Sequence, residues 1–169
     1  MNNILSKVGT LAAGLTLVAA LVPPAQAAQR PAAGGFLYEL VFGSLQAFDL
    51  EESGEDEIRV ELIAQNGTRY SGWPTNGSDA DTKAGTCWVW DFSACTGNYT
   101  KRVAGAHNNV IFVSAGQTFT IEVWEDDHIG DDLLLRIPVT ATGSHQNITG
   151  TTPAGKGFSY QFKGYLRAT

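Results

Sequence analysis

From residue 36 onward the sequence consists of short segments in which apolar and polar residues alternate, the period of a half-buried β-strand. The alternation is clear in residues 57–62, 118–123 and 158–163. Turns rich in glycine and asparagine separate these segments, and no helical period of ten residues or more is present. The pattern therefore predicts an all-β domain, an antiparallel sandwich or barrel.

Two further details of the pattern concern topology. Pro138 lies inside an apolar row, and because proline cannot donate to a neighbouring strand, that strand is expected at a sheet edge or bent there. Residues 143–157 are rich in glycine and threonine, and we expect a long turn region there.

The first 27 residues have the features of a secretory signal peptide. Lys7 precedes an uncharged apolar stretch at residues 8–22, two prolines follow, and Ala25-Gln26-Ala27 is a small-x-small cleavage site. We expect residues 28–35 to be a flexible lead-in and residues 36–169 to form one domain. The signal and the alanine-rich start are typical of a secreted, extracellular bacterial protein. No other stretch is apolar and long enough to predict a transmembrane segment.

The two cysteines, Cys87 and Cys95, are predicted to form one disulfide. An even pair in an exported chain is normally oxidised. A redox-active pair would more often have the Cys-x-x-Cys spacing, so we expect a structural bond.

Twelve of the seventeen acidic residues lie in two segments, 49–57 and 122–132, and neither contains lysine or arginine. Each segment follows one predicted strand and leads into another. Like charges at this density repel one another, and a hard cation would relieve that repulsion. Calcium accepts six to eight oxygen ligands, mostly carboxylates and carbonyls. The segments therefore favour a calcium site, and the alternative is a pair of solvated acidic turns.

The two acidic segments resemble the calcium-binding loops of C2 domains. Residues 45–50 resemble the strand that leads into the first loop, and Glu51 or Glu52 stands at the first acidic position. Asp56 resembles the aspartate that opens the next strand. The pair Glu125 and Asp127 resembles the family's Asp-x-Asp element, and Asp132 resembles its later ligand.

The strand and turn pattern predicts about eight strands, and the resemblance implies that they form a single antiparallel C2-like β-sandwich that binds calcium. We expect the domain to be non-catalytic, because carboxylates crowded on turns are more typical of ion ligands. The implied ligands are Glu52, Asp56, Glu125, Asp127 and Asp132, with Asp49, Glu51 and Asp131 as second choices. The function predicted is that of a secreted binding or interaction module whose loops are ordered by calcium.

Net charge limits the partners. Without the signal, ten basic and seventeen acidic residues give a net charge of −7. Nucleic acid requires a basic footprint and is excluded as an expected partner. The acidic segments also lack the basic residues that would attract an anionic membrane surface. We expect an unidentified macromolecule or a surface glycan.

Two other functions remain open from the sequence. Trp88 and Trp90 are two residues apart and could stack on sugar rings, as in a carbohydrate or cell-wall binding module; the alternative is that they are core residues. A small secreted hydrolase or toxin is the third hypothesis, because two carboxylates in a cleft would suffice for hydrolysis. Carboxylates crowded on turns are more typical of ion ligands, and the sequence lacks a nucleophile elbow and a dinucleotide fingerprint.

Overall fold

The alternating segments form β-strands in the computed structural model. It describes residues 38–75, 78–91, 95, 98–103, 108–109, 113–126, 130–142 and 145–169. The predicted signal peptide and lead-in lie outside these residues. Within the described residues there are eleven strands: β1 Tyr38–Asp49, β2 Asp56–Ala64, β3 Arg69–Trp73, β4 Ala80–Thr82, β5 Thr86–Val89, β6 Tyr99–Arg102, β7 Asn108–Asn109, β8 Thr118–Glu125, β9 Asp132–Thr140, β10 His145–Thr151 and β11 Ser159–Ala168.

The strands form two sheets. The six-stranded sheet has the order β10-β11-β1-β5-β6, with β7 paired to β1, and the five-stranded sheet has the order β3-β2-β8-β9, with β4 paired to β2. The core contains apolar side chains from both sheets. Leu40, Phe42 and Phe162 from one sheet and Ile58 and Ile121 from the other are fully buried. This packing of alternating apolar positions produces the predicted β-sandwich.

The predicted fold class is confirmed, with two differences in detail. The sheets are mostly antiparallel, but β5 and β6 pair in parallel, with Thr86 opposite Tyr99. The part of the chain that is described also contains eleven strands, where about eight were expected. The extra ones are short or weakly patterned, such as β4 with three residues.

The region expected to be one long turn, residues 143–157, is corrected by the structure. β10 lies within it and pairs with β11, with Ile148 opposite Gly164. A polar, threonine-rich strand on the edge of a sheet carries little alternation in the sequence, because only one of its side chains, Ile148, is both apolar and buried. The prediction for Pro138 is confirmed, since β9 is at the edge of the described sheet.

The predicted disulfide is confirmed. Cys87 on β5 is bonded to Cys95, and their Cα atoms are 6.1 Å apart. The bond closes part of the connection that carries the chain from β5 to the parallel strand β6. Among the described residues, no helix is long and apolar enough to span a bilayer.

Candidate metal site

The two acidic segments meet at one end of the sandwich. β2 and β8 are antiparallel neighbours, with Ile58 opposite Glu125, so the start of β2 lies beside the end of β8. β9 pairs with β8 and begins at Asp132. We call this region the acidic end and define it by the strand-end residues Asp49, Asp56, Glu125 and Asp132.

Three carboxylates converge at the acidic end. One ligand oxygen from each of Glu51, Glu125 and Asp132 lies within 4.8 Å of the other two. Strand register explains part of this cluster, because Glu125 and Asp132 are directly opposite each other across β8 and β9. Glu51 comes from the other acidic segment, in the connection between β1 and β2. Residues far apart in the sequence therefore place their side chains around one point.

Solvent exposure differs within this cluster. Glu125 is 2% exposed, whereas Glu51 and Asp132 are exposed. A cation could therefore reach the cluster from solvent while contacting a carboxylate that is fixed within the fold. Carboxylates this close to one another repel when they are ionised, and a bound cation would offset that repulsion.

Asp56 is connected to the cluster through the backbone of Glu51 and is fully buried. Its Oδ2 accepts a hydrogen bond from the backbone N–H of Glu51 at 3.0 Å, and its Oδ1 accepts one from the N–H of Glu52 at 3.3 Å. The Tyr160 hydroxyl also donates to Oδ2. Burial, followed by the hydrogen bond and charge of Asp56, raises the pKa of Tyr160, so the phenol remains a protonated donor at neutral pH.

Arg59 links further carboxylates near the acidic end. Its Nη2 contacts Asp131 Oδ2 at 2.5 Å, and its Nη1 lies 3.7 Å from Asp79 Oδ1. The hydrogen bond and charge of Arg59 lower the pKa of Asp131. Burial, followed by the charge and hydrogen bond of Asp126, raises the pKa of Asp79. Two aspartates that share one arginine therefore have pKa values shifted in opposite directions.

The predicted ligands are thus placed in different surroundings. Glu125 and Asp132 lie in the cluster, and Glu51, a second choice, joins them. The carboxylate of Asp56 receives three hydrogen bonds from within the protein. Of the remaining predicted ligands, Glu52 and Asp49 are exposed at the same end, and Asp131 contacts Arg59. Asp127 lies outside the described residues.

Sequence reasoning did not identify Tyr160 or Asp79 as site residues. Tyr160 occupies an ordinary apolar position in the alternating pattern of β11, and nothing local distinguishes it from the core residue Phe162. Asp79 precedes the three-residue strand β4 and lies outside both acidic segments. Neither residue carries a sequence signal, because its partner lies on a distant strand.

The tryptophans proposed for sugar stacking pack against a third indole. The ring centroids of Trp88 and Trp90 lie 4.8 and 5.0 Å from that of Trp73. Trp90 is 8% exposed and belongs to the core. Trp88 is half-buried, donates from Nε1 to Thr82 Oγ1 at 3.0 Å and has Lys101 4.5 Å from its ring centroid. These contacts are typical of structural aromatic residues.

The donor set at the cluster suits a hard cation. Glu51, Glu125 and Asp132 offer oxygen atoms only, and carboxylates that bind through both oxygens could supply six ligands. Zinc prefers nitrogen and sulfur donors, and both cysteines are consumed by the disulfide. The residues therefore fit calcium or magnesium, which take oxygen ligands.

Comparisons with known proteins concern the fold. No protein-family model matches the sequence, and no curated protein matches it. A solved structure titled "Structure of a C2 domain" is 12% identical, with a TM-score of 0.43, over 79% of this chain and 98% of its own. A structure of two C2 domains of Extended-Synaptotagmin 2 is 10% identical, with a TM-score of 0.48, over 96% of this chain.

The two-sheet β-sandwich is similar to the C2 domains in these two structures. The chain spans about half the length of the Extended-Synaptotagmin 2 chain, because 48% of that chain is covered. The resemblance predicted from the acidic segments is thus accompanied by structural similarity at low sequence identity. At these TM-scores the similarity supports no inference about function, which depends on the residues of the acidic end.

Proposed function

We propose that the acidic end binds a calcium ion through Glu51, Glu125 and Asp132. The supporting observation is the convergence of three carboxylates, with ligand oxygens within 4.8 Å of one another, from two segments of the chain. A bound divalent cation would offset their mutual repulsion, and part of the binding free energy would then stabilise the fold.

Calcium is the proposed ion because the site is only partly enclosed. Glu51 and Asp132 are exposed and sit beside strand ends, an arrangement that suits the variable geometry and higher coordination number of calcium. Magnesium requires near-ideal octahedral geometry and loses its water reluctantly, so it would bind more weakly. Affinity in the range of extracellular calcium modules, with a dissociation constant of roughly 10⁻⁴–10⁻³ M, is expected.

We further propose that the protein is a secreted, non-catalytic binding module and that the ion orders the loops that meet its partner. The signal-like N-terminus and the Cys87–Cys95 disulfide support an oxidising, extracellular location. The partner class proposed is a macromolecule or a surface glycan. The packed state of Trp88 and Trp90 favours contact through the acidic end over contact through an indole platform.

Isothermal titration calorimetry with calcium and with magnesium tests the site. We expect one calcium site in the wild-type protein, weaker magnesium binding, and loss of calcium binding in Glu125→Gln and Glu51→Gln. Glu55→Gln is the matched control, because Glu55 lies in the same connection as Glu51 but forms an ion pair with Lys83 at 2.8 Å. It should leave the dissociation constant within about threefold, since an exposed ion pair contributes little.

Two results would contradict the proposal. The first is the absence of binding heat at millimolar calcium. The second is an equal loss of affinity in Glu51→Gln and Glu55→Gln, which would indicate diffuse screening of an acidic surface.

A further inference from the structure

The hydrogen bonds of Asp56 connect the metal cluster to the interior of the sandwich. Asp56 is fully buried at the first position of β2, and both of its carboxylate oxygens accept hydrogen bonds from the connection between β1 and β2. One of these donors is the backbone N–H of Glu51, whose side chain belongs to the cluster. The position of Asp56 therefore determines where the backbone of a proposed ligand lies.

Tyr160 anchors Asp56 from the opposite sheet. Tyr160 lies on β11 of the six-stranded sheet, whereas Asp56 lies on β2 of the five-stranded sheet, so the hydrogen bond between them crosses the sandwich. The backbone of Tyr160 is itself fixed. Its N–H donates to Thr152 Oγ1 at 3.0 Å, and that hydroxyl donates to the carbonyl of Leu134 on β9 at 3.0 Å.

We propose that Asp56 and Tyr160 are positioning residues that form a latch, holding the backbone at Glu51 and Glu52 in its metal-binding conformation before any ion arrives. Asp56 stands where the sequence resemblance implies a ligand, but here its oxygens serve three internal donors. A site ordered in advance does not have to order its loop when the ion binds, and its affinity is higher for that reason. The effect on affinity rests on the proposed calcium function, whereas the latch itself does not.

Amide hydrogen exchange in excess chelator tests the latch without metal. The amides of Glu51 and Glu52 should be protected in the wild-type protein, because hydrogen-bonded amides exchange only when the local structure opens. Tyr160→Phe preserves the ring and removes the donor, and it should accelerate exchange at both amides by about tenfold or more. Asp56→Ala should remove their protection, and Asp56→Asn, which retains an acceptor, should keep part of it.

Tyr165→Phe is the matched control. Tyr165 lies on the same strand as Tyr160 and also donates to an aspartate, Asp91, at 3.1 Å, but it is not part of the acidic end. It should leave exchange at Glu51 and Glu52 unchanged. Wild-type exchange as fast at these amides as in an unstructured peptide would overturn the latch, as would equal effects of Tyr160→Phe and Tyr165→Phe.

Calcium affinity, measured by calorimetry on the same variants, separates positioning from direct ligation. A positioning role predicts that Tyr160→Phe raises the dissociation constant roughly tenfold, equivalent to about 1.4 kcal/mol, and that Asp56→Asn binds more tightly than Asp56→Ala. If Asp56→Asn abolishes binding while Glu51 and Glu52 stay protected, Asp56 is a ligand and the proposal is wrong. If the wild type binds no calcium but Tyr160→Phe still exposes both amides, the proposed function fails and the latch stands.

Discussion

Carboxylates are concentrated in two regions among the described residues, and the groups that contact them differ between the two. On the outer face of the five-stranded sheet, Glu61 and Glu122 are directly opposite on β2 and β8. Arg69 contacts both, at 2.5 and 3.2 Å, and Arg136 contacts Glu122 at 2.7 Å. The indole of Trp124 also donates to Glu122 at 3.0 Å. We call this group the arginine-paired face.

At the acidic end, by contrast, the carboxylates of Glu51, Glu125 and Asp132 face one another. The neighbouring basic residues Lys83 and Arg59 contact Glu55 and Asp131. On the arginine-paired face, Arg69 and Arg136 compensate the charge of the crowded carboxylates. For the three carboxylates at the acidic end, the cation we propose is calcium from solution.

Calcium should stabilise the protein through the acidic end alone. At a calcium concentration about a hundred times the dissociation constant, the free energy of unfolding should rise by about 2.7 kcal/mol. Asp132→Asn should abolish the gain, whereas Arg136→Gln, on the arginine-paired face, should retain it. Denaturant unfolding in calcium and in chelator measures both. An identical free energy of unfolding for the wild-type protein in calcium and in chelator would contradict the proposal that the acidic end binds an ion.

Neutralising one acid in each region should affect the free energy of unfolding differently in chelator. Glu122→Gln should destabilise the protein by about 1–2 kcal/mol, because it weakens the charge-assisted hydrogen bonds that the buried Glu122 carboxylate accepts. The loss is no larger because the side chains of Arg69 and Arg136 are half-exposed. Glu125→Gln should leave stability unchanged or raise it by less than about 1 kcal/mol, because it removes like-charge repulsion. If both substitutions destabilise the apoprotein equally, the comparison fails.

The smallest expected effect concerns the two aspartates that share Arg59. The pKa of Asp79 is raised in the folded protein, so the native state binds its proton more tightly than the unfolded chain does. Its charge therefore opposes folding at neutral pH, and this penalty disappears as the pH falls below the ordinary aspartate pKa, about 3.9. Asp79→Asn should raise the melting temperature in chelator at pH 7 and have less effect at pH 3.

Asp131→Asn should act in the opposite direction. The pKa of Asp131 is lowered by Arg59, so its charge supports folding above the ordinary aspartate pKa, and the support is lost as pH falls through the lowered folded value. The substitution should reduce the melting temperature in chelator at pH 7. Melting temperatures of Asp79→Asn and Asp131→Asn, measured across pH in chelator, test both expectations. A change of the same sign in both variants at pH 7 would contradict the opposite pKa shifts of the two aspartates.

Sequence reasoning predicted much of the fold because strand alternation is a local property. The segment at residues 57–62 lies within β2, and residues 118–123 lie within β8. The parallel pairing of β5 with β6 and the existence of β10 were missed, because short or polar strands carry little alternation and depend on neighbours for their stability.

The candidate site was predicted in location but only partly in composition. The density of acids between strands identified both segments, and Glu125 and Asp132 were among the first choices. Glu51 could not be ranked above Glu52 from the sequence, because adjacent residues in a connection point in directions that only the folded backbone specifies. The positioning role that we propose for Asp56 depends on its hydrogen bond with Tyr160, which is 104 residues away in the chain.

The sequence by itself therefore determined an all-β domain, its disulfide and the two places where negative charge accumulates. The three features follow from local composition and from the two-residue alternation of apolar and polar side chains, and both can be recognised in a short stretch of sequence. Tertiary structure decided which carboxylates face one another, which are paired with arginine and which carboxylate supports the backbone. Those outcomes depend on strand register and on contacts between the two sheets, and a one-residue shift of register would send each side chain to the other face.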